Sequence, residues 1–333
     1  MRRAALAALA AGLVTAAGLV ACFARGLAPV APPGAATAVF EVAPGESLAR
    51  VAEKLERAGL LRDARVAAGW ARLHGFAARL RAGEYALSPS MRPLDLFDLI
   101  ASGHVVTYPV VVPEGFTAAE IGSRLESSGL ADAAAFVSLA RDPAFAQELG
   151  VPDSTLEGYL FPETYRFPRR PDPREVARTM VAQFFEIWRT LAPAAERRGL
   201  SLHQVVTLAS IVEKETGVPA ERPLIASVFA NRLARGMRLE SDPTVIYGIP
   251  AFDGNLRRRD LDDGSNVYNT YRIAGLPPGP IASPGAESLR AVVEPAESDY
   301  LYFVSRNDGT HVFSRTYAEH VAAVNLHQRR GVH

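Results

Sequence analysis

FEVAPGESLARVAEKLERAGL (Phe40–Leu60) returns 70 residues later as VVVPEGFTAAEIGSRLESSGL (Val110–Leu130), without a gap. Val42/Val112, Gly45/Gly115, Ala49/Ala119, Leu55/Leu125, Glu56/Glu126, Gly59/Gly129 and Leu60/Leu130 are identical pairs. Each copy reads as a strand running into a Gly turn, then a capped amphipathic helix, then a Gly stop. Ser47 and Thr117 stand where a helix needs a side-chain oxygen for its free N–H groups, and Thr117-x-x-Glu120 is a capping box. Leu48, Val51, Ala52 and Leu55 form the apolar face of the first helix, with Ile121 and Leu125 in the second. A twice-used strand–helix unit predicts an α+β chain.

Between the copies the pattern predicts a helix capped by Asp63 and running to His74, a strand near 84–87, and a helix near 93–101. Val105–Val112 reads as one β-rich strand. One helix pair on a short sheet resembles the carbohydrate-binding LysM fold. A purely structural platform fits the same pattern, because fold does not fix function. The expected organisation is a membrane anchor at 1–25, a linker at 26–38, a LysM-like α+β subdomain at 39–150 and a mixed α+β domain carrying the chemistry at 151–333.

The anchor follows from Ala4–Phe23, an uncharged, almost wholly apolar run behind Met1-Arg2-Arg3. Twenty helical residues span roughly 30 Å, the thickness of a bilayer's hydrocarbon core. Two arginines before the run against Arg25 after it favour a cytoplasmic N-terminus and an exported body. A cleaved signal peptide has a shorter apolar stretch and a small-residue exit, which this run lacks. Leu19-Val20-Ala21-Cys22 resembles a lipoprotein signal with Cys22 lipidated, so an uncleaved helix and a lipid anchor both stand, with length favouring the helix. Pro29, Pro32 and Pro33 then make residues 26–38 a stiff spacer.

Composition excludes several classes. The 333 residues are 48% apolar, ordinary for a globular protein, and Lys+Arg balance Asp+Glu at 36 each. No basic surplus points to nucleic acid. The seven histidines show no metal-ligand spacing, and no P-loop, dinucleotide fingerprint or nucleophile elbow occurs. No cofactor is expected.

Leu156-Glu-Gly-Tyr-Leu-Phe-Pro-Glu-Thr-Tyr-Arg-Phe167 packs aromatics and acids into one loop. That mixture suits sugar rings, though aromatics pinning a loop to the core explain it as well. Asp172-Pro173 opens a long helix to about Arg198, with Val176, Met180, Phe184 and Leu191 on one face. Ser201 caps the next helix, to Thr216, with Gly217 as its C-cap; a third runs from about Arg222 to Arg235. On the middle helix Leu202, Val206, Ala209 and Glu213 form one stripe, so Glu213 projects towards the body. Apolar surroundings would raise its pKa, as a proton donor requires; pairing with a neighbouring arginine is the alternative reading. Glu215 lies about 200° further round, so the two acids do not address one sugar ring together.

Leu208-Ala-Ser-Ile-Val-Glu-Lys-Glu-Thr216 resembles the signature of the endolytic murein transglycosylases. Ser227-Val-Phe-Ala-Asn-Arg-Leu233, Ser241-Asp-Pro-Thr-Val-Ile-Tyr-Gly248, Tyr268-Asn-Thr-Tyr271 and Gly275-Leu-Pro-Pro-Gly279 resemble it in the same order. The resemblance implies an N-terminal span, a LysM-like subdomain and a catalytic domain outside the cytoplasmic membrane. It implies cleavage of the β-1,4 bond between N-acetylmuramic acid and N-acetylglucosamine in nascent peptidoglycan, ending strand growth with 1,6-anhydro ends. Carried over by position, the essential glutamate is Glu213, serving as acid and then as base. Asp242, Thr244, Asn269 and Tyr271 fall in matching loops as substrate contacts, with Glu163 and Tyr165 in the aromatic loop. Partners implied are glycan strands, the cytoplasmic membrane and peptidoglycan synthases. Glu240 stands where the family pattern has Gln, and Val267 where it has Pro. A hydrolytic muramidase and a non-enzymatic wall-binding scaffold are the competing functions.

Tyr300–Ser305 and Thr310–Phe313 around Asn307-Asp-Gly309 predict a hairpin, and a last helix starts near Thr316. His311, His320 and His327 read as surface or packing residues.

Overall fold

The computed structural model describes residues 2–328; Met1 and residues 329–333, the outer ends of the expected anchor and last domain, lie outside them. The chain forms two compact units, Met1–Tyr108 with Arg166–Arg169, and Pro109–Tyr165 with Arg170–His333.

The first unit opens with α1 (Arg2–Gly26), whose segment Leu9–Gly26 is long and apolar enough to cross a membrane. Its side chains from Leu9 to Arg25 are exposed, Cys22 among them. Length and composition suit an anchor and a signal sequence alike. Then come β1 (Ala38–Val42), α2 (Leu48–Arg57), α3 (Ala64–Leu73), β2 (Gly83–Leu87) and α4 (Pro93–Ser102). β1 and β2 pair antiparallel from Ala38↔Leu87 to Val42↔Gly83, and Phe40, Leu55, Tyr85, Leu87 and Phe97 form the core beneath them.

The second copy of the repeat builds β3 (Tyr108–Val111), α5 (Ala118–Ser127), α6 (Ala133–Ala140), α7 (Pro143–Glu148) and β4 (Thr164–Phe167), with β3 paired to β4. The copies therefore share a β-α-α-β order, with one extra helix in the second. Their joints match in detail. Gly59 and Gly129 end the first helix of each copy at φ of 71° and 67°. Leu60 N–H donates back to Leu55 O, and Leu130 N–H to Leu125 O, both in the Schellman pattern. The carboxylates of Glu56 and Glu126 then accept from Ala64 N and Ala133 N, starting the second helix. The boundary between these two compact units falls at Tyr108, between the copies.

The remainder comprises α8 (Pro173–Arg197), α9 (Leu202–Glu215), α10 (Arg222–Ala234), α11 (Asp242–Tyr247), α12 (Arg258–Asp262) and α13 (Ala286–Val293), then β5 (Tyr302–Ser305), β6 (His311–Ser314) and α14 (Tyr317–His327). β5 and β6 form the expected hairpin, with Asn307 and Gly309 at positive φ in the turn. α9 is the central helix: every residue from Val205 to Val212 is buried, and it packs against α8, α10, α11 and α13. It ends differently from expectation. Thr216 is extended and Gly217 does not take the left-handed conformation, because Thr216 and the 219–221 turn redirect the chain at once.

Candidate active site

The two acids of the α9 motif face different partners. Glu213 accepts from Arg222 Nη2 at 2.9 Å and from Gly285 N at 3.0 Å. Arg222 Nη2 also reaches Glu114 Oε2 at 3.0 Å. The Glu213 and Arg222 side chains are only 5% and 9% exposed, which makes this a buried ion pair. Lys214, between the acids, donates to Gly115 O at 3.2 Å.

Glu215 has a neutral hydrogen-bond partner, the Ser241 hydroxyl. Burial pushes its carboxyl up to about 7; the Ser241 bond and the Arg232 charge pull it down, and the Asp242 charge adds to the rise. The apolar residues preceding it, Leu208, Ile211 and Val212 at i−7, i−4 and i−3, are as buried as those preceding Glu213.

Glu215 lines a cavity of about 420 Å³ with Arg232, Glu240, Asp242, Tyr271, His311 and His320. That volume lies in the range of ordinary ligand sites. Arg232 is rooted in α10: its Nε donates to Leu301 O at 2.7 Å, and its Nη1 to Leu239 O at 2.8 Å and Glu240 Oε2 at 3.1 Å. Glu240 sits at φ 53°, a strained conformation for glutamate, held by its N–H on Thr270 O. The Tyr271 hydroxyl donates to Asp242 Oδ1 at 2.8 Å. His320 stacks on Tyr302 with ring centroids 5.2 Å apart; burial pushes its pKa down, with the Arg232 charge acting in the same direction.

Asp242 and Tyr271 are thus the expected substrate contacts that share a cavity with Glu215. Thr244 and Asn269 lie buried behind the loops. Thr244 Oγ1 donates to Ser241 O at 2.7 Å, and Asn269 Nδ2 binds the carbonyls of Asp260, Leu261 and Asp263. Glu163 is exposed and accepts from Thr164 N, while the buried Tyr165 donates its hydroxyl to Phe161 O at 2.7 Å. Neither lines the cavity. Val267 is exposed.

The aromatic loop braces the unit through Glu157, which accepts from Ala118 N at 3.0 Å and from the Tyr247 hydroxyl at 3.1 Å. Burial, outweighing both hydrogen bonds, pushes its carboxyl up to about 7. A folded-state value above the unfolded one means stability fully present below about pH 4 and lost as pH rises through 7. Glu157→Gln is therefore expected to flatten the fall in melting temperature between pH 5 and 8; parallel wild-type and variant profiles would refute this. Gly158 follows at φ 83°, and a Cβ there would meet Pro280 Cβ at 2.4 Å and Val206 Cγ1 at 2.9 Å. Positive φ and overpacking together predict a loss of roughly 3 kcal/mol for Gly158→Ala, read by denaturant unfolding. An unchanged midpoint would count against that packing.

The model of the YceG-like family matches residues 40–326. The chain belongs to the YceG-like family. Among YceG-like relatives, the endolytic murein transglycosylase of Bacillus subtilis (strain 168) is 30% identical over 311 residues, covering 88% of this chain and 86% of that protein. The protein of the same name from Streptococcus pneumoniae serotype 2 (strain D39) is 30% identical over 291 residues, 78% of this chain but 53% of its own length. A 2.6 Å crystal structure of a YceG-like protein from Listeria monocytogenes matches with TM-score 0.61 and 31% identity, over 86% of this chain and 98% of that one.

In this YceG-like chain the sequence reading passed over Glu215, Arg232, His311 and His320 as cavity residues. A second acid two positions along α9 was the available signal for Glu215. The histidines carry no local signal, since only the docking of the β5–β6 hairpin and α14 brings them to the cavity wall.

Proposed function

We propose that this chain is an endolytic lytic transglycosylase. It cleaves the β-1,4 bond between N-acetylmuramic acid and N-acetylglucosamine in nascent peptidoglycan, leaves 1,6-anhydro ends and so terminates strand elongation. The observation that carries the reading is a single carboxyl with a pKa raised to about 7 on the wall of an open, polar cavity. The names of the B. subtilis and S. pneumoniae relatives support the substrate class.

The proposed acid is Glu215 and not Glu213. Both Glu213 carboxyl oxygens are taken, Oε1 by Arg222 and Oε2 by the Gly285 N–H, and Glu213 does not line the cavity. Glu215 can deliver one at neutral pH. Its proton goes to the leaving glucosamine O4 as the C1–O4 bond breaks, and the muramic C6 hydroxyl closes on C1. Asp242, Tyr271, Glu240 and Arg232 supply donors and acceptors for the sugar substituents along the wall. The β-α-α-β first unit is read as a LysM-like glycan platform. α1 is read as a single span holding the body outside the cytoplasmic membrane, near the peptidoglycan synthases that supply new strands.

The test is digestion of uncrosslinked glycan strands by the full-length protein, with mass analysis of the ends. Anhydro-muramic ends are expected. Reducing muramic ends would make it a hydrolase, and uncut strands a binding scaffold. Intact mass of the membrane-extracted protein checks the anchor, since a diacylated species beginning at Cys22 would replace the span with a lipid.

A further inference from the structure

His311 opens β6 and lines the same cavity as Glu215. Its Nδ1 lies 2.7 Å from Glu221 Oε2, and its backbone N–H donates to Oε1 of the same carboxylate at 2.9 Å. Burial would raise the Glu221 carboxyl, but the His311 bonds outweigh it and hold the group below its usual range, so it is ionised at neutral pH. In the neutral imidazole, a carboxylate so placed takes the Nδ1–H and makes Nε2 the acceptor. Nε2 has no hydrogen-bond partner among the described residues.

The dyad is tied to the end of the central helix. Thr216, the residue after Glu215, directs its hydroxyl to Glu221 Oε2 at 3.3 Å. Phe303 meets the imidazole edge-on with centroids 5.5 Å apart. The end of α9, the 219–221 turn and the β5–β6 hairpin thus bring the Glu215 carboxyl and a carboxylate-oriented imidazole to one cavity. The other acids there are engaged: Asp242 accepts from Tyr271, and Glu240 pairs with Arg232. His320 differs from His311, since its Nδ1 is buried with no partner among the described residues and no carboxylate orients it.

We propose that His311, positioned by Glu221, is the base that takes the proton from the muramic C6 hydroxyl. The assignment rests on the transglycosylase reading above and divides the acid and base roles between two groups. Glu215 protonates the leaving O4 as C1–O4 breaks; O6 then closes on the cationic C1 from the same face, and the O6 proton passes to His311 Nε2. The Glu221 carboxylate neutralises the imidazolium, and water returns the proton to Glu215.

The experiment measures anhydro-end release from uncrosslinked glycan strands by full-length wild type, His311→Ala and His311→Gln, with melting temperatures. Loss of a general base predicts a fall of about 10²-fold or more in both variants. In His311→Ala, added imidazole is expected to restore at least about tenfold of that loss, which a purely structural role would not allow. Reducing muramic ends should rise as a fraction of products, because water then competes with the C6 hydroxyl. A folded His311→Gln at wild-type rate overturns the assignment, as does a folded, slow His311→Ala that imidazole does not rescue. A wild type that releases no anhydro ends fails the functional reading itself; these variant results fail only His311.

Discussion

Glu215→Gln is expected to lower anhydro-end release by about 10³-fold or more while leaving the protein folded. Gln keeps the side chain's size and can still accept from the Ser241 hydroxyl, so the wall of the cavity should survive. What disappears is the proton, the one property a general acid cannot lack. Stability gives an independent sign. The folded carboxyl titrates near 7, above the unfolded value, so its stabilising contribution is lost as pH rises through 7. The variant should therefore melt at or above the wild-type temperature at pH 8 and lose that advantage at pH 5. Glu213→Gln supplies the contrast: it weakens the pair with Arg222 and should lower the melting temperature, with activity falling less. If Glu215→Gln stays active while a fully folded Glu213→Gln is dead, the acid returns to Glu213.

Arg222→Met is the second large effect. It leaves the Glu213 carboxylate buried, with Glu114 the remaining charge that shared the guanidinium. Stranding a buried charge costs about 3–5 kcal/mol, or roughly 10 °C in a unit of this size. The double variant Arg222→Met/Glu213→Leu should recover most of that loss, because no charge is then left to desolvate. A single variant that melts with the wild type would mean the pair contributes only as a surface bridge does.

Local rules made much of the fold legible. Ser47, Thr117, Ser201 and Thr316 each accept from the backbone N–H three residues on, as their positions before apolar runs require. The repeat became two β-α-α-β modules because strand spacing, cap and Gly stop are properties of neighbouring residues. Less legible was the end of α9. Gly217 looked like a C-cap by type, but the buried Thr216 is extended and binds Glu221 in the turn that follows, which residue type at the helix end does not reveal. The short helices α6, α7 and α11–α13 lack a long apolar period, so caps such as Asp132 and Asp142-Pro143 had no following stripe to mark them as helix starts.

The sequence by itself determined the two-copy module, the apolar N-terminal helix, the family, and a central helix ending in two acids. Those follow from spacing, composition and caps. Which acid faces a cavity was decided by tertiary structure alone. A stripe argument assumes a helix with one inward face, and α9 is buried on all sides from Val205 to Val212. On such a helix Glu213 and Glu215 both project into protein. Their difference lies in what arrives from elsewhere in the chain: Arg222 and Gly285 around one, Ser241, Asp242 and the β5–β6 hairpin around the other.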